Sequence, residues 1–323
     1  MRICVLGKRR SVTGWLEGAA MAWRRAGHEV MIATFRDSRL HPALERALFA
    51  PAIGAPRAAA LVRRVRAFAP DLIVAIDAFA TPASLLQGLR AASGLPPLFG
   101  WVGDEFGEDA AENAAAFAAV GYTDSGFIAA HERLGLRAEA FYLPHAANPV
   151  LAEGAAPNGS RSPRLVFVAN RTPLRLATLQ RLREPVVLHG AGWQPLRGGI
   201  HELHIRRVPT EALAPIYRAH AATLNIRNET HVLAGLNQRN FDPYLCGAAV
   251  VTDPQADLER CFEPGTEVLV WRETAEIDAI AARLRREPGW AAAVAERGRR
   301  RVLAEHSYAA RLRSFTQRTG LGA

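Results

Sequence analysis

The chain has 323 residues, 49% hydrophobic and 22% charged, with a formal net charge of +9. That length suits two domains of about 150 residues, and the composition excludes a disordered, collagenous or disulfide-scaffold protein. No apolar run reaches the roughly 18–20 residues that span a bilayer, and the opening MRICVLGKRR sets a strand pattern before its charges, unlike a secretory leader.

The expected location is therefore cytoplasmic. Cys4, Cys246 and Cys261 show no CxxC or Cys/His ligand spacing, so they are expected as small buried apolar residues and no metal is expected. Lys8 is the only lysine among the 40 basic residues; arginine carries the rest. A surface this basic suits anionic membranes, nucleic acids or phosphorylated substrates.

In chain order, RICVLG (2–7) reads as a buried strand, Ser11 to Arg25 as a helix stopped by Gly27, and HEVMIATF (28–35) as a second strand. DLIVAI (71–76), PLFGWV (97–102), AVGYTD (119–124) and AEAFYLP (138–144) follow, separated by Ala-rich helical stretches. The segment 150–164 has no apolar period and holds Gly, Pro, Asn and Ser, so it reads as a linker. The alternation then restarts with RLVFVAN (164–170), EPVVLHG (184–190), AATLNI (221–226), AAVVTD (248–253) and TEVLVW (266–271). The tail, 273–318, reads as three helices. Continuous apolar strands spaced by helices predict parallel sheets covered on both faces. The expected fold is α/β: two Rossmann-like doubly wound domains facing a cleft, with ligands at the carboxyl ends of the strands.

Chemistry in such sheets sits in the loops after the strands. After the first strand, Gly7-Lys8-Arg9-Arg10 is neither a dinucleotide fingerprint nor a P-loop, but Gly7 allows close approach and Lys8 suits an anion. Asp104, after PLFGWV, is a candidate base, set against a plain helix-start acid. His145, after the last strand of the first half, is a candidate for proton handling. Arg171 and Arg175 follow RLVFVAN at a helix start, a position suited to a diphosphate. In LHGAGW (188–193), Gly190 permits close approach and Trp193 is a candidate to stack on a base, with a core tryptophan as the alternative. The densest segment runs from Asn237 to Asp242, with Arg239 as a phosphate candidate and Asp242 as a ribose candidate; Asn240 and Phe241 stand between them. The HELH pair, His201 and His204, lacks zinc-protease spacing and reads as structural.

These segments resemble the CgeB-like group, related to the group 1 glycosyltransferases of GT-B fold. NQRNFDPYLCGAAVVTD is similar to its R-F-E…G…V-T-D stretch and ERCFEPGTEVLVW (259–271) to its F-x-P-G-x-E-V segment. LVFVANRTPLR, LHGAGW and RRRVLAEHSYAARL (299–312) resemble its second-domain opening, its G-x-x-W step and its closing helix; YLPHAANP (142–149) resembles its domain exit. The likeness covers most of 142–312, in order. It implies three parts: a Rossmann-like acceptor domain over 1–150, a nucleotide-sugar donor domain over 151–305, and a helix over 306–323 that crosses back to the first domain. It implies a metal-independent, hexosyltransferase-type enzyme with no cofactor beyond its nucleotide-diphosphate sugar. Arg171, Asn237 and Arg239 would lie near the diphosphate and Asp242 near the ribose. Two departures bear on stereochemistry: Asp242 stands for the usual Glu, and Ala234 stands where retaining relatives carry another Glu, with Glu229 the nearest acid upstream.

The acceptor is open: glycan, lipid, small molecule or protein. An inverting transfer would use Asp104 or His145 as base; a retaining one would use the leaving phosphate. The rival readings are another two-Rossmann nucleotide-sugar enzyme, epimerase-like, or a catalytically inactive binding relative. No nucleic-acid partner is expected, since the tail arginines interleave with Glu and Ala as a solvated face. Peripheral membrane contact stays open on charge alone.

Overall fold

Among the described residues, twelve strands form two six-stranded sheets, and every strand pairing within them is parallel. The computed structural model describes residues 1–9, 14–37, 51–153, 160–196, 198–229 and 232–321. The chain divides into two compact units: Met1–Pro144 with Tyr308–Ala323, and His145–Ser307.

In the first unit the strands are β1 (Arg2–Arg9), β2 (Glu29–Asp37), β3 (Leu72–Ile76), β4 (Leu98–Val102), β5 (Ala119–Tyr122) and β6 (Glu139–Tyr142). They lie in the order β2-β1-β3-β4-β5-β6. Its helices are α1 (Trp15–Arg25), α2 (Pro51–Phe68), α3 (Ala83–Ala91), α4 (Ala110–Ala114) and α5 (Ser125–Arg133). All five residues of β3 and of β4 are buried, which requires cover on both faces. Burying each such aliphatic side chain stabilises by about 1.5–3 kcal/mol. The chain's last helix, Tyr308–Thr319, belongs to this unit. There Trp23 Nε1 donates to Tyr308 O at 2.8 Å, and the Phe315 ring packs edge-on against Phe99, Trp101 and Phe141.

In the second unit the strands are β7 (Ser162–Val168), β8 (Val186–His189), β9 (Glu202–His204), β10 (His220–Asn225), β11 (Ala249–Thr252) and β12 (Leu269–Val270). Their order is β12-β11-β10-β7-β8-β9. The helices are α6 (Pro173–Leu179), α7 (Thr210–Ala219), α8 (Asp242–Leu245), α9 (Leu258–Cys261), α10 (Thr274–Arg286) and α11 (Pro288–Glu305); Tyr308–Thr319 is α12. Alternate residues of β7 feed opposite cores. Leu165 and Phe167 pack with Leu188, Leu224 and Ile277, while Val166 and Val168 pack with Tyr217 and Cys246.

Several elements differ from the sequence reading. β1 runs on to Arg9 because β2 continues alongside it, pairing Gly7 with Thr34 and Lys8 with Arg36. Gly7 and Lys8 are thus strand residues rather than a loop. A Cβ at Gly7 would meet Leu16 Cδ1 at 3.1 Å and Ile76 O at 3.3 Å, so its small size serves packing. The helix expected from Ser11 begins at Trp15; residues 11–13 lie outside the described residues. The expected strand 266–271 shrinks to Leu269–Val270, since Gly265 turns the chain at φ +79°. HELH supplies the edge strand β9, which polar sequence hid. The expected linker, 150–164, opens inside the 3-10 turn Pro149–Ala152, which Asn148 caps, and closes inside β7, which starts at Ser162; 154–159 lie outside the described residues.

Candidate functional site

In the second sheet the chain runs one way through β7, β8 and β9 and the other way through β10, β11 and β12. The order therefore reverses between β7 and β10. Loops diverge there at the carboxyl ends of the strands and leave room for a ligand.

The loop after β7 leads into α6, whose N-cap Thr172 accepts from Arg175 N at 3.4 Å with Pro173 in the first turn. Arg175 is 3% exposed. Its Nε donates to Ile226 O at 3.1 Å and its Nη1 to Asn170 O at 3.0 Å. Its Nη2 is buried without a partner. Burial pushes this guanidinium down to about 9, and the Arg239 charge adds to the push against partial relief from Glu229 and Asp253. Two cations thus share a dry corner, and one donor is unspent.

Glu229 ties the corner together. Its Oε1 accepts from Leu174 N at 3.1 Å and its Oε2 from Thr172 Oγ1 at 3.0 Å. Burial opposes its charge, but those bonds and Arg175 outweigh that and hold its carboxyl below the usual range. Asn225, fully buried at the end of β10, is the hub of the other side. Its Oδ1 accepts from Asn237 Nδ2 at 3.3 Å and from Arg239 Nε at 3.4 Å, while its Nδ2 donates to Thr252 Oγ1 at 3.2 Å. Asn237 caps the 3-10 turn Gln238–Asn240 by accepting from Arg239 N at 3.0 Å. Burial lowers the Arg239 guanidinium, and Tyr217 and Asp242 counter it.

Arg171 and Arg175 thus follow β7, Arg175 in the first turn of α6, while Asn237 and Arg239 follow β10 at the 3-10 turn. Arg171 is exposed, and its N–H donates to Ala191 O at 3.1 Å. Gly190 is required where it stands: a Cβ there would lie 2.0 Å from Ala169 O. Trp193 is a core residue rather than a stacking platform. It is 2% exposed, its Nε1 donates to Ala169 O at 2.7 Å, and it packs edge-on to Phe167. Phe241 is likewise fully buried, against Phe262 and His306. Asn240 is fully buried, with no hydrogen-bond partner for its amide. Asp242 is turned to its own chain: Oδ1 accepts from Asn148 N at 2.8 Å and from Gln238 Nε2 at 3.0 Å. Burial raises its carboxyl to about 7. Gln238 Nε2 also donates to Ala146 O at 2.6 Å, so Gln238 and Asp242 together clamp the segment that carries His145. His145 itself is 8% exposed. Asp104 is exposed, in the stretch between β4 and α4 of the first unit.

Sequence reading passed over Asn225 and named Glu229 only as the acid nearest the position of Ala234, not as a tie to α6. A polar residue closing the buried run HAATLN was the available signal for Asn225; Glu229 carried none, since its partners lie 55–57 residues away. Among the described residues, no group of three His, Cys, Asp or Glu could hold a metal, and no helix is long and apolar enough to cross a membrane.

Residues 171–317 match the family model described as glycosyl transferase-like. Solved structures match over the whole chain. HepE from Anabaena, solved with UDP, has 16% identity and a TM-score of 0.62, covering 98% of this chain and 99% of its own. Sucrose-phosphate synthase from Thermosynechococcus elongatus has 12% identity and a TM-score of 0.65, covering 100% of both chains. A glycosyltransferase from Rickettsia africae has 10% identity and a TM-score of 0.63, covering 98% and 97%. No curated protein sequence matches. Identities this low speak for the fold alone. The two parallel sheets and their matches to GT-B glycosyltransferases establish that this chain has the GT-B fold, and residues 171–317 are similar to the glycosyl transferase-like family.

Proposed function

We propose that this protein is a glycosyltransferase that moves a hexosyl group from a nucleotide-diphosphate sugar, with UDP-glucose the first donor to test. One observation carries the reading: the buried Arg175 guanidinium, beside Arg239, keeps an unpartnered Nη2. A buried unspent donor on a cation costs free energy until an anion meets it. A diphosphate supplies that anion and would take further contacts from Arg171 and Asn237. HepE, of the same fold, was solved with UDP and with UDP-glucose.

In the transfer, the bond from the sugar's anomeric carbon to the β-phosphate oxygen breaks with its electron pair going to the nucleoside diphosphate. The acceptor hydroxyl oxygen bonds the anomeric carbon and gives up its proton. Arg175 and Arg239 hold the charge that grows on the leaving group, so the reaction needs no metal there. His145 or Asp104 takes the proton in an inverting transfer; a leaving phosphate oxygen takes it in a retaining one.

Titration with UDP, GDP, dTDP and CDP tests the donor site. At 100 times its dissociation constant one nucleotide should add about 2.7 kcal/mol of stability. The Arg175→Ala variant should lose that gain. Folded protein with no response to any of the four, or a response unchanged by Arg175→Ala, overturns the proposal.

A further inference from the structure

Asn225 ends β10, and a polar side chain buried at a strand end must spend its hydrogen bonds inside the fold. Its Oδ1 accepts only from the segment that follows β10, from Asn237 Nδ2 at 3.3 Å and Arg239 Nε at 3.4 Å. A guanidinium has no acceptor, so the amide atom facing Arg239 is the oxygen, and Nδ2 is left for β11. There it donates to Thr252 Oγ1 at 3.2 Å, and Thr252 is itself fully buried. Asn225 is thus held from β11 and holds Arg239 in turn. Arg239 spends Nε on that bond, while its Nη1 and Nη2 meet no hydrogen-bond acceptor among the described residues. Asp242, whose charge bears on Arg239, spends its Oδ1 on Asn148 N and Gln238 Nε2 instead.

We infer that Asn225 is a positioning residue for the donor's diphosphate, holding Arg239 by Nε so that Nη1 and Nη2 are kept for phosphate oxygens. The inference rests on the donor reading above. Asn225 is 0% exposed, so it acts through Arg239 and Asn237 and does not touch the ligand itself. Two physical features suit it to that work. The guanidinium is planar, so a held Nε restricts the plane in which the two terminal nitrogens lie, and an arginine ordered beforehand loses less rotamer freedom when the anion arrives. The holding atom is also neutral. An amide oxygen fixes the arginine without cancelling its charge, whereas a carboxylate in the same place would fix it and compete with the phosphate.

The test is calorimetric titration of the full chain with inorganic pyrophosphate and with UDP, GDP, dTDP and CDP. Wild type is compared with Asn225→Ala, Thr252→Val, Arg239→Lys and the double variant Asn225→Ala/Arg239→Lys, each checked for folding by its melting curve. Asn225→Ala should weaken the ligands that bind wild type by about tenfold, as expected when a charged donor loses its orientation. Thr252→Val leaves Arg239 and Asn237 untouched and frees only the far side of the amide, so its loss should be smaller, about threefold. Arg239→Lys keeps the cation but removes the Nε that Asn225 holds. Beside it, Asn225→Ala should cost nothing further, because the two residues act as one unit. A loss that persists undiminished beside Arg239→Lys would make Asn225 a residue of the fold alone and overturn the inference. Unchanged binding in folded Asn225→Ala would overturn it too, as would unchanged binding in Thr252→Val where Asn225→Ala does not fold. In each of those cases wild-type binding leaves the donor reading standing. Wild type that binds none of the five ligands overturns the donor reading, and this inference with it.

Discussion

The two units present opposite solutions at the carboxyl ends of similar sheets. In the second, polar side chains are tied to one another: buried Asn225 holds half-buried Asn237 and Arg239, and exposed Glu229 holds the Thr172 hydroxyl and the Leu174 N–H. In the first, the cations Arg57 and Arg64 stand at the rim of an apolar hollow. A buried, preoriented arginine such as Arg175 loses little entropy when an anion arrives. The second arrangement suits a fixed demand such as a diphosphate.

The largest expected effect breaks the second unit's scaffold. Gly190→Ala drives a Cβ to within 2.0 Å of the Ala169 carbonyl. That backbone has nowhere soft to yield, so stability should fall by about 3 kcal/mol in denaturant unfolding. An unchanged midpoint would show that the loop after β8 is not held as described.

Next comes the contrast itself. Arg175→Ala should weaken nucleoside-diphosphate binding by about 10–100-fold, the value of a charge-assisted bond or two. Arg57→Ala with Arg64→Ala should leave that binding alone. Equal losses from both would erase the distinction between the two ends.

Asp242 sharpens the comparison through pH. Its folded carboxyl sits near 7 against 3.8 unfolded, because burial disfavours the charge. The unfolded state therefore releases its proton first. The stability that the protonated form contributes is complete below about 3.8 and is lost as pH rises through about 7. Melting curves should show that loss, on the order of 4 kcal/mol, in the wild type and not in Asp242→Asn. Parallel curves would mean that Asp242 is charged in the fold.

The smallest effect lies at the ends of β8 and β9. His189 stacks on His204 with ring centroids 4.3 Å apart, and burial first, then the His204 and His220 charges, lowers it to about 4. Its contribution is present above pH 6.5 and lost as pH falls through about 4. His189→Gln should remove less than about 1 kcal/mol of acid sensitivity, given its partial exposure. Identical acid unfolding in variant and wild type would place the sensitivity elsewhere.

The apolar runs of RICVLG, DLIVAI, PLFGWV and RLVFVAN determined by themselves that parallel strands would be buried on both faces, since water is excluded from such sequences wherever they pair. Residue type and position after a strand also marked Arg171, Arg175 and Arg239. What sequence left undecided was direction. Trp193 and Phe241 share segments with polar residues, yet each turns into the core, where its large apolar area is worth more than a surface contact. Asp242 turns to the Asn148 N–H rather than outward, because that buried donor needed an acceptor. Only the tertiary structure decided that Arg175 would keep a spare donor. Ile226 O and Asn170 O take its Nε and Nη1, and the sheet sets a carbonyl from β10's end beside a side chain 51 residues earlier in the chain. Strand pairing, a long-range event, fixes which polar groups are spent on the fold and which remain for a ligand.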